Sequence, residues 1–366
     1  TITDNTATDV RTGGAYGQVV GIGDAKNGIL VANGVYLEGE NGVRLSASPV
    51  TLRGNRAQAL NADGGRLNAN ALAVNGQGDV QGSPITLSDN RATNVKSEGK
   101  EGTIAGHAVI GKGVGSASAN AVQVLGALRA SSMQLLGNTA DNVSAEKGIA
   151  LANSAMVGNG ATTEGTPTTI SGNTAADVST RDGKTAVANS VFNEGRLSGS
   201  QVAITGNQRS GAQADGEDAS AASVRNRSNG RIAGSQVAIA GNQGTARKGA
   251  INSVDNSGSI GGSRIAIIGN RGSVEGGGVA NSVINGGTIA GGQITVLGNQ
   301  GSTQGGGTVN SVINQGRIGA GSITIAGNSG SARGGGMVNS VHNRSSGNLM
   351  SANIAIIGNH GSWNRK

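Results

Sequence analysis

Between Asn242 and Asn359 one pattern recurs: N-S-V-x-N-x-G-x-I-x-G-G-x-I-x-I-x-G-N-x-G-S-x-x-G-G-G. Asn252, Asn281, Asn310 and Asn339 open successive copies, each 29 residues after the last. Gly-Asn pairs close the copies at Asn242, Asn270, Asn299, Asn328 and Asn359. A fixed period of this length marks a solenoid, whose units bury their apolar faces only by stacking on neighbours. The chain is therefore expected to be a rod.

The Gly-Asn motif continues upstream in looser form. V-T-L-R-G-N ends at Asn55, I-T-L-S-D-N at Asn90, M-Q-L-L-G-N at Asn138, T-T-I-S-G-N at Asn173 and V-A-I-T-G-N at Asn207. With the shortened I-T-D-N at Asn5, eleven copies are present. A second Asn column runs through Asn33, Asn70, Asn120, Asn153, Asn189, Asn252, Asn281, Asn310 and Asn339, with Ala222 as its one lapse. Pro49, Pro84 and Pro167 each stand just before the strand that ends in Asn, where a missing N–H is tolerated. Alternation places Ile265 and Ile267 inward and Ala266 and Ile268 outward, as in a strand. The same inward pair recurs as Val202/Ile204, Val237/Ile239, Ile294/Val296, Ile323/Ile325 and Ile354/Ile356.

These observations predict an all-β fold: a single parallel β-helix of about eleven coils, ~28–50 residues each, with stacked Asn columns and an aliphatic core. Coils this long favour a right-handed helix, and eleven rungs at about 4.8 Å give a rod on the order of 50 Å. One continuous domain is expected, with two textures: irregular coils over residues 1–221 and regular ~29-residue coils over 222–366. Two insertions, about 11–30 and 97–117, interrupt the first part. Composition agrees. Gly reaches 67 residues without a G-X-Y period, Pro is three, and Tyr16, Tyr36, Phe192 and Trp363 are the only aromatics.

An inward Asn can bond its own turn and the next Asn along the axis, which fixes register. The expected ladder residues are Asn55, Asn138, Asn173, Asn207, Asn242, Asn270, Asn299, Asn328 and Asn359, with Asn252, Asn281, Asn310 and Asn339 in the second column. The alternative is that Asn only tolerates a left-handed bend in the G-N turns, and the two roles are compatible.

No catalytic or metal constellation emerges from the sequence, and no cofactor is expected. Asp9 and Asp177 share a column four residues after the motif Asn, but Asn94 and Asn142 fill it between them. Carboxylates separated by several coils cannot divide acid and base roles across one bond. His107, His342 and His360 are isolated, and the G-G-G runs lack the Lys and helix of a phosphate loop. With no Cys there is no thiolate site or disulfide. No apolar run is long enough for a membrane span. The net charge of +7 is carried almost wholly by residues from Ser257 onward, but a nucleic-acid surface would need a dense basic stripe with stacking aromatics.

With Gly-Asn corners, I-x-I strands, no Cys and scarce aromatics, the chain resembles secreted bacterial β-solenoids. These include autotransporter passengers and filamentous-haemagglutinin-like adhesins, whose parallel β-helices serve as surface stalks and fibres. The resemblance covers nearly the whole chain but is architectural, so no functional residues carry over. It implies an extracellular or cell-surface structural protein, with any signal peptide and anchor lying outside this sequence.

The expected function is therefore a fibre subunit or adhesin stalk assembling with itself, end to end and laterally. Ile268, Leu297, Ile357, Trp363 and Ile2 are the candidate assembly residues. The alternative is a β-helix binding host or bacterial surface glycans through the inserts around Tyr16 and His107; a polysaccharide-processing enzyme ranks below it.

Overall fold

The computed structural model describes the chain apart from residues 9–10, 13–15, 23–28, 38–43, 64–65, 75–77, 99–115, 147–148, 182–184, 200, 215–217, 235, 320, 351–352 and 365–366. All strand pairings among the described residues are parallel, and the strands form three long sheets running along one axis. The protein is a parallel β-solenoid, with no helix among the described residues.

One late coil shows how the sequence makes the shape. After Asn270, strand Arg271–Glu275 lies in the first sheet and Gly276-Gly277-Gly278 turns the chain. Val279–Ala280 and Val283–Asn285 form the second sheet, bent between them at Asn281 with φ 50°. Thr288–Leu297 forms the third, and Gly298 with φ 64° delivers the chain to Asn299. Left-handed bends cost most residues energy, and glycine and asparagine bear them best. The two Asn columns divide this labour differently. At the Gly-Asn corner the glycine takes the positive φ, whereas at the N-S-V corner the asparagine does so itself. The left-handed bend expected of asparagine in the G-N turns is therefore borne there by glycine, and asparagine bears it in the second column instead.

The coil count is lower than expected: about nine turns, not eleven. The eleven Gly-Asn copies are posts, and turns are the intervals between them. The ten copies from Asn55 to Asn359 enclose nine turns. At about 4.8 Å per rung those nine span roughly 43 Å.

The interior has two compartments rather than one aliphatic core. The larger is lined by the third sheet and the second strand of the second sheet, with stacks such as Leu52, Leu87, Leu135, Ile170, Ile204, Ile239 and Ile267. The smaller lies between the first sheet and the first strand of the second, and is filled mostly by alanine, including Ala92, Ala140, Ala175, Ala119, Ala152 and Ala188. The Asn columns stand between the compartments: the side-chain amides of Asn120 and Asn153 reach the main-chain oxygens of Asn90 and Asn138 at 3.4 and 3.3 Å. The proline expectation holds, because Val50 and Met133 donate N–H bonds to the Pro84 and Pro167 carbonyls at 2.9 and 2.8 Å.

Candidate assembly face

The Gly-Asn column is a continuous hydrogen-bonded ladder from Asn5 to Asn359. Asn270 is representative: its Nδ2 donates to Asn299 Oδ1 at 3.0 Å and to the Ile239 carbonyl at 2.8 Å. Its backbone N–H also donates to Asn299 Oδ1, at 2.9 Å. Asn55, Asn90, Asn138, Asn173, Asn207, Asn242, Asn299 and Asn328 repeat this set on the next rung. Every amide points the same way, Nδ2 toward the C-terminal neighbour, so the rod has chemical polarity.

The second column breaks at Ala222. Above and below it, Asn153 bonds Asn189 at 3.0 Å and Asn252 bonds Asn281 at 3.0 Å. At the gap, Asn189 turns its Nδ2 to Ser210 Oγ at 2.7 Å, while Asn252 Oδ1 is buried without a partner. Ser210 thus replaces the missing amide on one side only. Ala222 also bears φ 46°, a conformation that asparagine tolerates better. The double change Ala222→Asn with Ser210→Gly should raise stability by about 1–2 kcal/mol, checked by the urea midpoint. Ala222→Asn alone should gain less, because Ser210 keeps its place.

A third Asn column was missed in the sequence. Asn193, Asn226, Asn256, Asn285, Asn314 and Asn343 link Nδ2 to Oδ1 in succession at 2.7–2.8 Å. The signal was the final N of N-S-V-x-N. A serine stack accompanies it: Ser253 Oγ donates to the Ile251 carbonyl and accepts the Ser282 N–H at 3.1 Å.

The column of Asp177, Asn142 and Asn94 is a set of left-handed bends, with φ 51–54°. Asn142 donates to Asn94 Oδ1 at 2.8 Å on the surface. Short polar residues stand there because the backbone needs them. Asp9 lies outside the described residues. Among the described residues no group of three His, Asp or Glu side chains is placed to hold a metal ion.

Two outer surfaces remain. The second sheet is concave outside, because its strands meet at the left-handed Asn corner. Met156 and Phe192 fill this hollow with Leu151 and Val187. The Arg227 guanidinium stands 5.6 Å from the Phe192 ring centre. Burial pushes the nearby Glu194 carboxyl above its usual range, and Arg227 opposes the shift. A carboxyl raised in this way lowers native stability as pH climbs from the ordinary carboxyl range through the raised value. Glu194→Gln should therefore be more stable than the parent at neutral pH and equal to it in acid, by melting temperature against pH. Further along, Arg225 pairs with Asp255 at 3.3 Å in a groove of about 570 Å³ bordered by Lys248, Gly277, Val279 and Ile284.

The third sheet presents the other surface. Its outermost column runs Thr205, Ala240, Ile268, Leu297, Ala326 and Ile357, and beside it run Ala203, Ala238, Ala266, Thr295, Thr324 and Ala355. Ile268, Leu297 and Ile357 are 39%, 40% and 63% exposed. Trp363 is exposed on the first sheet, away from this column. Ile2 is only 8% exposed and stacks on Leu52, so its side chain belongs to the aliphatic core and not to an outer face. Tyr16 begins strand Tyr16–Ile22, which pairs with Ile29–Leu37 in the second sheet; His107 lies outside the described residues.

The chain matches no known family model, no curated protein and no solved structure. The class defined by the fold is the parallel β-solenoid, and no match supports an autotransporter or haemagglutinin identity.

Proposed function

We propose that this chain is a structural rod, a subunit of an extracellular fibre or adhesin stalk. The supporting observation is register. The Gly-Asn ladder passes from Asn5 to Asn359 without a missing amide, through coils of unequal length. Loop length varies while the ladder does not, as expected where persistence of the rod is the selected property. The outer columns supply a lateral contact. Negative-stain micrographs and sedimentation of the purified protein test the reading: filaments or concentration-dependent oligomers are expected. A population of monomeric rods at every concentration would remove self-assembly from the function.

A second reading, binding of a surface glycan, draws on the groove at Arg225 and Asp255. It predicts retention on an immobilised acidic polysaccharide that Lys248→Ala weakens at least several-fold. Equal retention of both proteins would count against it.

A further inference from the structure

We infer that two copies of this chain pair side by side, axes parallel and pointing the same way, through the outer columns of the third sheet. The inference deepens the assembly reading above and rests on it.

The face has an unusual makeup. Over the strands 201–205, 236–240, 264–268, 293–297, 322–326 and 353–357, the outward positions carry one charged residue, Arg264, at the rim. The chain as a whole has 28 basic and 21 acidic side chains. On the other strand of the same sheet, Asp79 sits between Arg44 and Arg129 at 3.6 and 3.1 Å. A patch whose one charge stands at its rim, on a molecule of net +7, is where two copies can approach with least repulsion.

The two columns differ in height. One rises at Ile268, Leu297 and Ile357, with Thr205, Ala240 and Ala326 at its other rungs; the other holds only Ala and Thr. A twofold axis parallel to the rod and midway between the columns lays each tall column over the partner's short one. The same face turned antiparallel about an axis along the strands lays tall on tall, leaving the short columns apart. Both copies share one rung spacing of about 4.8 Å, so a match at one rung is a match at all. Such a contact is isologous and closes as a dimer.

The size is sufficient but not generous. Six strands of five residues, at about 3.3 Å per residue and about 4.8 Å between strands, cover roughly 480 Å² per copy. Both copies together then bury roughly 1,000 Å², the lower bound for a specific interface. The pairing should be reversible and concentration-dependent.

The test combines a disrupting pair of substitutions with an orientation probe. Sedimentation equilibrium of the parent should show a monomer–dimer equilibrium, and I268K/L297K should shift it at least tenfold toward monomer with an unchanged circular dichroism spectrum. The chain has no cysteine, so single thiols report cleanly. T295C and L297C lie on one strand and oppose each other across the parallel twofold, so an equimolar mixture should form the mixed disulfide far faster than either variant alone. Preferential cross-linking of L297C to itself would overturn the parallel arrangement. Filaments that form equally well in I268K/L297K would overturn this face while leaving the structural role standing. Neither dimers nor filaments in the parent would sink both.

Discussion

Asn299→Ala is expected to destabilise the rod by about 3–5 kcal/mol, read as a lowered urea midpoint or a new early unfolding phase. The side chain carries four bonds in a fully buried position. Its Nδ2 donates to Asn328 Oδ1 at 3.0 Å and to the Ile267 carbonyl at 2.8 Å. Its Oδ1 accepts the Asn270 backbone N–H at 2.9 Å and Nδ2 at 3.0 Å. Alanine leaves the Asn270 N–H without this partner, away from water, at about 1–3 kcal/mol, and takes a bond from the Ile267 carbonyl at about 1 kcal/mol. The other two losses are milder. Asn328 Oδ1 keeps the Asn299 N–H at 2.9 Å, and Asn270 Nδ2 keeps the Ile239 carbonyl at 2.8 Å. Asn359→Ala is the control. That residue is half-buried on the last rung, donates to the Ile325 carbonyl and accepts from Asn328, and water can replace what is lost. Its cost should be about 1 kcal/mol or less. Equal losses at both positions would mean that the ladder contributes through bend geometry and not through buried pairing.

Because each coil touches only its neighbours, such a loss is local in origin. The ladder between Asn270 and Asn328 weakens, and unfolding of the coils beyond it can uncouple from the rest. Two-state analysis then fails, and a split transition is the more informative readout.

Most of the fold was legible because periodicity writes position directly. Ile265 and Ile267 read as inward, and they are buried in the aliphatic core. Pro84 and Pro167 read as one column, and they are. Three things were not legible. The alanine compartment was hidden because Ala is scored weakly as apolar, so the stack Ala92, Ala140, Ala175 looked like filler. The third Asn column was overlooked because Asn285 and Asn314 fall inside strands, where polar residues read as solvent-facing. Sequence ruled out a carboxylate pair in the column of Asp177 and Asn142 but gave no reason for its short polar side chains, because the left-handed bend they serve leaves no periodic apolar signal. For the outer face, sequence placed Ile268, Leu297 and Ile357 correctly outside, but their exposure depended on whether any loop crosses them.

Gly287→Ala should be among the most damaging single methyl additions in the regular coils. An ideal Cβ at this position would lie 2.0 Å from the Gly258 carbonyl oxygen and 2.6 Å from that of Ser257. Both atoms are backbone of the preceding coil, and Thr288, the next residue, donates its N–H to the Gly258 carbonyl at 2.8 Å. The methyl therefore occupies the place where two coils hydrogen-bond, and room can be made only by parting them. Gly316 repeats the geometry on the next rung, with Gly287 oxygen at 2.0 Å. The close approach is thus a property of the corner, and the N-x-G step of the repeat is fixed by the coil spacing itself. Overpacking of a side-chain core typically costs about 1–3 kcal/mol because side chains can yield. Here the obstacle is the main chain of the preceding coil, so Gly287→Ala should exceed that range or leave the protein insoluble. Gly261→Ala separates this effect from a general intolerance of alanine: it stands on a strand of the third sheet with nothing within 4 Å of the added methyl. It should be neutral, or stabilising by a few tenths of a kcal/mol through a less flexible unfolded chain. A Gly261→Ala protein as damaged as Gly287→Ala would show that coil spacing is not what selects glycine at this corner.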